Sequence, residues 1–329
     1  MKRNMKKITG MNPKQIQQQA AGLFKLPIPL RFAFGIGFSQ TITAFLLLLI
    51  IALPVTIRAE EQKPAATEQN TVEQTQEEDK VTGEIAASVL NAYIWRGQEL
   101  SRHSVVIQPS MTASYNGFTV NLWGNLDIQP YSGGDAQYSS NYTETDVTFS
   151  YSRKFGMVQT GVGYIYYGLA GAATGGSDLM DSQEIFVSLG LDTILAPTLT
   201  VYKEIDHYHQ WYATLGVSHT FALHEKIGLK LAATASYLLS DDENTYAKYD
   251  SNALATTDKY NNLHDGTIAI SLPIAAYKTL SVIPTISYVF PLCDDAKYEM
   301  QARGLQGAAN PSDKDSSYLY GGVVLSYTF

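Results

Sequence analysis

The stretch Tyr318 to Phe329, reading Y-L-Y-G-G-V-V-L-S-Y-T-F, constrains this chain more than any other. Counted back from Phe329, alternate residues are aromatic, apolar or glycine: Phe329, Tyr327, Leu325, Val323, Gly321 and Leu319. The other set, Thr328, Ser326, Val324, Gly322 and Tyr320, is smaller and more polar. A period of two belongs to a strand whose two faces meet different surroundings. The apolar face runs through to Phe329, with no charged residue after Ser317. That pattern fits a strand standing in lipid better than one laid over a soluble core.

The alternation recurs along the chain. Ser104 to Asn116 places Val105, Ile107, Pro109, Met111, Ala113 and Tyr115 on one face, and Phe118 to Ile128 returns with Phe118, Val120, Leu122, Leu126 and Ile128. Asn116-Gly117 between them supplies the left-handed dihedrals of a two-residue hairpin turn. Further strands are expected over Gly83–Arg96, Tyr142–Arg153, Met157–Gly168, Gln183–Asp192, Thr198–Asp206, Trp211–Phe221, Ile227–Leu239, Gly266–Pro273, Thr279–Phe290 and Tyr318–Phe329. The total is twelve, most of them close to the ~9–11 residues that cross a bilayer at a tilt. Their connections differ in length. Asn116-Gly117, Lys154–Gly156, Thr193–Pro197, Ala222–Lys226 and Ala275–Lys278 are short, whereas Gln129–Asn141, Leu169–Ser182, Ser240–Asp265 and Pro291–Ser317 are long and polar. The predicted fold is an all-β, up-and-down antiparallel transmembrane barrel with short periplasmic turns and long extracellular loops. A secreted β-sandwich, the rival architecture, gives no reason for one-sided loop lengths.

Composition agrees. Charged residues make up 16% of the chain, and its 22 Tyr outnumber 12 Phe and 3 Trp; tyrosine suits a water–lipid boundary. Aromatic residues gather near strand ends, with Tyr115, Phe118, Tyr151, Phe155, Phe221 and Tyr327 towards the short turns. Tyr93, Trp95, Trp211, Tyr237, Tyr288 and Phe290 lie towards the long loops, so two interfacial girdles are expected. Mean hydropathy, −0.09, decides nothing, because alternating strands hide their apolar face from any average.

Residues 1–59 carry eight basic residues and no acidic one. Phe32 to Ile57 is free of charge and Ile57-Arg58-Ala59 precedes Glu60, which reads as an export signal with a long basic leader; a retained membrane anchor is the alternative. Residues 60–82, rich in Glu and Gln, read as a disordered acidic periplasmic segment, and 83–329 as the barrel. Without residues 1–59 the chain keeps 15 of its 23 basic residues against 31 acidic ones. Such a balance repels phosphate backbones, so no nucleic-acid partner is expected. A single cysteine, Cys293, excludes an internal disulfide and a four-cysteine zinc site.

Two resemblances add to this reading. An ending in Tyr327-x-Phe329 resembles the C-terminal signature of Gram-negative outer-membrane barrels. It implies Tyr327 and Phe329 as an assembly signal, with periplasmic chaperones and the barrel-assembly machinery as partners. Asn91-Ala-Tyr-Ile-Trp-Arg-Gly97 resembles the Tyr-x-Trp/Phe-Arg-Gly segment of the TorF-type porins, outer-membrane barrels without a settled function. Asn91-Ala92 stands where a Ser-Asp or similar polar pair is common in that family. Both likenesses imply a bacterial outer-membrane location.

In the lipid-facing register, Glu144, Asp146, Glu184, Glu204 and Lys230 point inward, and Arg96 and Glu84 join them less clearly. Inward acids outnumber inward bases, so an open lumen would favour cations. The expected function is passive diffusion of ions or small solutes, with the loops Ser240–Asp265 and Pro291–Ser317 as candidate plugs. Trp123 is placed to stack a sugar ring or simply to pack inside the lumen. A non-conducting surface, structural or adhesion barrel is an alternative. So is a hydrolase or metal-binding barrel using Asp206, His207 and His209, although no nucleophile is tied to that group by spacing. Neither enzyme activity nor a cofactor is expected.

Overall fold

The computed structural model describes residues 80–329 apart from 102–103, 130–136, 139–140, 170–171, 175–180, 251, 253 and 303–314. The export signal and most of the acidic segment expected before residue 83 lie outside the described residues.

Twelve long strands build one wall. They are β1 (Thr82–Leu90), β2 (Val106–Tyr115), β3 (Phe118–Asp127), β4 (Tyr142–Phe155), β5 (Val158–Leu169) and β6 (Ser182–Leu191). Then follow β7 (Thr198–Glu204), β8 (Gln210–His224), β9 (Ile227–Ser240), β10 (Asn261–Ser271), β11 (Leu280–Pro291) and β12 (Tyr318–Thr328). Each strand pairs antiparallel with its neighbours in sequence, and β12 returns to pair with β1. A closed ring leaves no unpaired edge, the condition for backbone to cross hydrocarbon as strands. A short strand, Ile274–Tyr277, extends the turn between β10 and β11.

Alternation sets which side chains meet lipid. Ile85, Met111, Leu122, Phe149, Val162, Val187, Ile268, Ile286 and Leu325 are all exposed on the outer face. A continuous apolar exterior on a closed antiparallel barrel, with short turns at one rim and long loops at the other, is that of a bacterial outer-membrane protein. Asn116 (φ 48°) and Gly117 (φ 82°) form the left-handed turn expected from the sequence. The short-turn girdle is present, with Tyr115, Phe118, Phe155, Phe221 and Tyr327 exposed.

Three expectations are corrected. β1 ends at Leu90 rather than Arg96, because the chain leaves the wall there and turns into the lumen. Tyr93 and Trp95 therefore do not join the outer girdle: Tyr93 is buried against Trp123, and Trp95 packs edge-on to Tyr167. β10 begins at Asn261 rather than Gly266, extended by pairing with β9 across an irregularity near Ala235.

The lumen has two levels. Towards the short turns the inward residues are small and hydroxylated or amidic, such as Ser110, Thr112, Asn121, Ser150, Ser188, Thr200 and Thr234, and all of these are half-buried. Towards the long loops the interior holds a packed cluster that includes Tyr212, Leu238, Tyr260, Val289, Ala296 and Met300. Ala296 and Met300 come from α1 (Asp294–Ala302). Cys293 stands before this helix, its Sγ accepting the Ala296 amide at 3.4 Å, so the one cysteine acts as an N-cap. Asp294 and Asp295 complement the helix dipole at the same end.

The two faces of β3 give a direct check. Leu122→Arg, on the lipid face near mid-strand, is expected to destabilise the barrel by about 2–4 kcal/mol. Its inward neighbour Asn121→Arg is expected to shift the urea midpoint of refolded protein much less.

Candidate functional site

The site is the segment that leaves the wall after β1, together with the strands it touches. Asn91 ends the strand while completing its ladder. Its amide donates to the Gly321 carbonyl (3.1 Å), and its Oδ1 accepts the Gly321 amide (2.8 Å). Ile94–Trp95 and Gln98–Glu99 then pair as a miniature hairpin, and the Leu100 amide donates to the Tyr93 carbonyl at 2.8 Å. The tip is Arg96 (φ 48°) and Gly97 (φ 75°), both in the left-handed region that a two-residue hairpin turn demands. Glycine takes this conformation freely, but arginine does so at roughly 1–2 kcal/mol, a cost that its side-chain bonds offset.

Those bonds cross the barrel. Arg96 Nη1 and Nη2 donate to Glu184 Oε1 and Oε2, each at 2.7 Å. Glu184 lies on β6, five places round the twelve-strand ring from β1 and therefore on nearly the opposite wall. The guanidinium carbon sits 4.5, 5.0 and 4.2 Å from the ring centres of Trp95, Tyr202 and Tyr212. The side chains are only 7% and 1% exposed. Tyr167 donates its hydroxyl to Glu184 Oε2 at 2.9 Å. On the other flank the Arg96 carbonyl accepts from His264 Nε2 of β10 (3.2 Å). A Cβ on Gly97 would collide with Met300 of α1. Hairpin and helix are thus seated on one another inside the upper lumen.

Arg96 and Glu184, read from the sequence as separate inward charges, are in this way brought together as one ion pair. Glu144 and Asp146 share the inward face of β4, beside Tyr93 and each other. Glu144 is buried, and Asp146 Oδ1 is shielded from water with no hydrogen-bond partner among the described residues. Trp123 stands opposite Asp146 in the ladder and packs on Tyr93, ring centres 5.5 Å apart. Glu204 is turned into the β7–β8 connection. Its carboxylate accepts the amides of Asp206, His207, Tyr208 and His209 at 3.1, 2.8, 2.8 and 2.7 Å, and the Ser182 hydroxyl at 3.1 Å. Lys230 lies inward on β9 between Thr220 and Ser271, near the short-turn rim, and Glu84 accepts from Ser326 at 2.5 Å.

His207 and His209 belong to the turn that Glu204 caps. His207 Nδ1 lies 2.8 Å from the Asp181 carbonyl and 3.2 Å from Asp206 Oδ1. The His209 carbonyl accepts the Asp241 amide at 2.8 Å. Among the described residues no group of three or more His, Cys, Asp and Glu is placed to hold a metal. Tyr327 and Phe329 stack on the outer face with centres 6.2 Å apart, and Phe329 exchanges two backbone hydrogen bonds with Gly83, each 2.9 Å. The candidate-plug loops contribute α1 from one and Tyr246 and Tyr260 from the other. Sequence reasoning missed the Arg96 hairpin. Its signal was Gly97 between two short runs, weaker than Asn-Gly because arginine rarely opens such a turn.

No known family profile matches the chain, and no curated protein does. Among solved structures it is similar to the NanC porin (TM-score 0.43, 10% identity, covering 74% of this chain and 98% of that one). It is also similar to OmpT, an outer membrane protein of Vibrio cholerae (TM-score 0.35, 9% identity, 76% and 97%). A third is Salmonella typhi OmpF in complex with daunomycin (TM-score 0.33, 9% identity, 76% and 97%).

Removing one partner of a buried ion pair strands the other charge. Arg96→Ala and Glu184→Ala are each expected to lower stability by about 3–5 kcal/mol, read as urea midpoints of refolded barrel. The double variant is expected to lose clearly less than the sum of the two.

Proposed function

We propose that the protein is a porin in which small solutes pass a hydroxyl-lined lower lumen and a restricted gap beside the Arg96 hairpin. The observation that carries this reading is the lining of the lower lumen. Ser110, Thr112, Asn121, Ser150, Thr200 and Thr234 face inward and are half-buried. A barrel filled solely for stability needs apolar side chains packed to interior density, and a hydroxyl lining is suited to water. A ring of this size falls between the filled eight-stranded barrels and the wide channels of sixteen or more strands.

The charges not taken up by a cation or by backbone amides support a cation preference. Arg96 neutralises Glu184, and the carboxylate of Glu204 is taken up by backbone amides. Glu144 and Asp146 remain beside Tyr93 at the level of the hairpin, with Lys230 lower down. The two carboxyl groups touch and share a proton, so the pair brings one negative charge to the narrow level, and it outweighs one distant base because a low-dielectric constriction focuses the field. The Tyr93-x-Trp95-Arg96-Gly97 likeness to TorF-type porins supports the same reading, since that segment is the hairpin itself.

A second reading has its own support. The Arg96–Glu184 bridge ties hairpin to wall by two short bonds, which favours a permanently plugged, structural barrel. Planar-bilayer recording separates the two readings. Discrete conductance steps with a cation-selective reversal potential in a salt gradient are expected, and Glu144→Gln with Asp146→Asn should reduce that selectivity. Replacing residues 92–100 by a two-residue turn should enlarge the steps. A folded barrel that stays silent until the hairpin is removed would establish the plugged reading instead.

A further inference from the structure

We propose that Glu184, Tyr202 and Tyr212 form a guanidinium-binding site on the barrel wall, and that Arg96 is its tethered occupant. The site is built by the wall and not by the hairpin. Glu184 is held by the Tyr167 hydroxyl at 2.9 Å. Tyr212 donates to Asp265 Oδ1 at 2.7 Å, and Asp265 is held in turn by the Ser236 hydroxyl at 2.7 Å. Tyr202 packs between Phe186 and Tyr212, with ring centres 5.6 and 6.3 Å away. None of these restraints passes through Arg96. With the hairpin withdrawn, β5 to β8 would still present a carboxylate framed by aromatic rings.

The chemistry selects a planar cation. A carboxylate whose two oxygens accept parallel N–H groups matches a guanidinium fork, whereas an ammonium offers no such planar pair. Ring faces at 5.0 and 4.2 Å favour a weakly hydrated cation lying across them. Anions are repelled by Glu184. Because the tether holds Arg96 at high effective concentration, a free guanidinium compound enters only as the hairpin leaves. Hairpin docking and solute binding are therefore mutually exclusive, which makes the tip an autoinhibitory contact.

The test uses the full barrel in detergent and does not depend on conduction. Methylguanidinium is the probe, methylammonium at equal ionic strength the control, and melting temperature and tryptophan fluorescence the readouts. Arg96→Ala should bind methylguanidinium saturably and melt higher in its presence, with an affinity about tenfold or more above that of the native protein. Adding Glu184→Gln should abolish the response, and methylammonium should give little of it. Equal responses in native, Arg96→Ala and double-variant barrels would overturn the proposal, as would no response from a folded Arg96→Ala barrel. If Arg96→Ala does not refold, Arg96→Lys takes its place, since its ammonium competes less well for the fork. A methylguanidinium response in that variant supports the site, and its absence rejects it.

Discussion

The pairing of β1 with β12, with Glu84 facing Thr328 and Leu90 facing Gly322, is the contact on which the rest of the molecule depends. An open sheet in hydrocarbon would leave two edges of unpaired backbone, each orphan group costing several kcal/mol. Closure also fixes parity, since a slip of β1 by one residue would turn Ile85 and Val89 inward and Ser88 towards lipid. The seam is tight near the long-loop rim. A Cβ on Gly322 would run into the Val89 carbonyl across the seam, and on the other side of β12 one on Gly321 would meet the Thr285 carbonyl of β11. Immediately beyond this point Asn91 makes the last bonds of the ladder and the chain is released into the lumen.

Inside the ring that released segment meets conditions like those of a soluble core. Groups turned away from water need partners, and several carboxylates find them on nearby strands and turns. Asp127 accepts from Ser104 Oγ and from the Gln129 amide, Asp265 from Ser236 and Tyr212, and Glu204 from four consecutive amides. Apolar packing comes from Leu238, Tyr260, Val289 and Met300. The described residues thus form two apolar systems, one outside facing lipid and one confined to the upper lumen. Below the second, hydroxyl side chains replace it.

This division explains what could be read from the residues beforehand. The wall was legible because its rule is local: lipid on one face forces a period of two, and Asn116-Gly117 has few conformations open to it. Loop lengths followed from the same register, as did the inward positions of Glu144, Asp146, Glu184, Glu204 and Lys230, whereas Arg96 is inward only because its segment leaves the wall. The hairpin was not legible, because Tyr93, Ile94 and Trp95 have the composition of a strand and only contacts far along the chain show that they leave the wall. Glu184 gave no hint that its partner lay 88 residues away. Glu204 looked like any inward acid, although the turn Asp206–His209 that it caps follows directly in sequence. The histidines of that turn drew attention as possible ligands, when the carboxylate before them organises the segment.

The identity of the tip residue is where backbone and side-chain demands conflict. A two-residue turn favours Asn or Gly at the first central position, because a left-handed arginine is strained. A short side chain there would relieve the strain, yet it would not cross the lumen to Glu184 or lie among Trp95, Tyr202 and Tyr212. Arginine resolves the conflict in favour of the long-range bonds: two charge-assisted hydrogen bonds and three ring faces outweigh a strain of about 1–2 kcal/mol. The docked Arg96 also neutralises Glu184, a buried carboxylate that would otherwise have only the Tyr167 hydroxyl beside it.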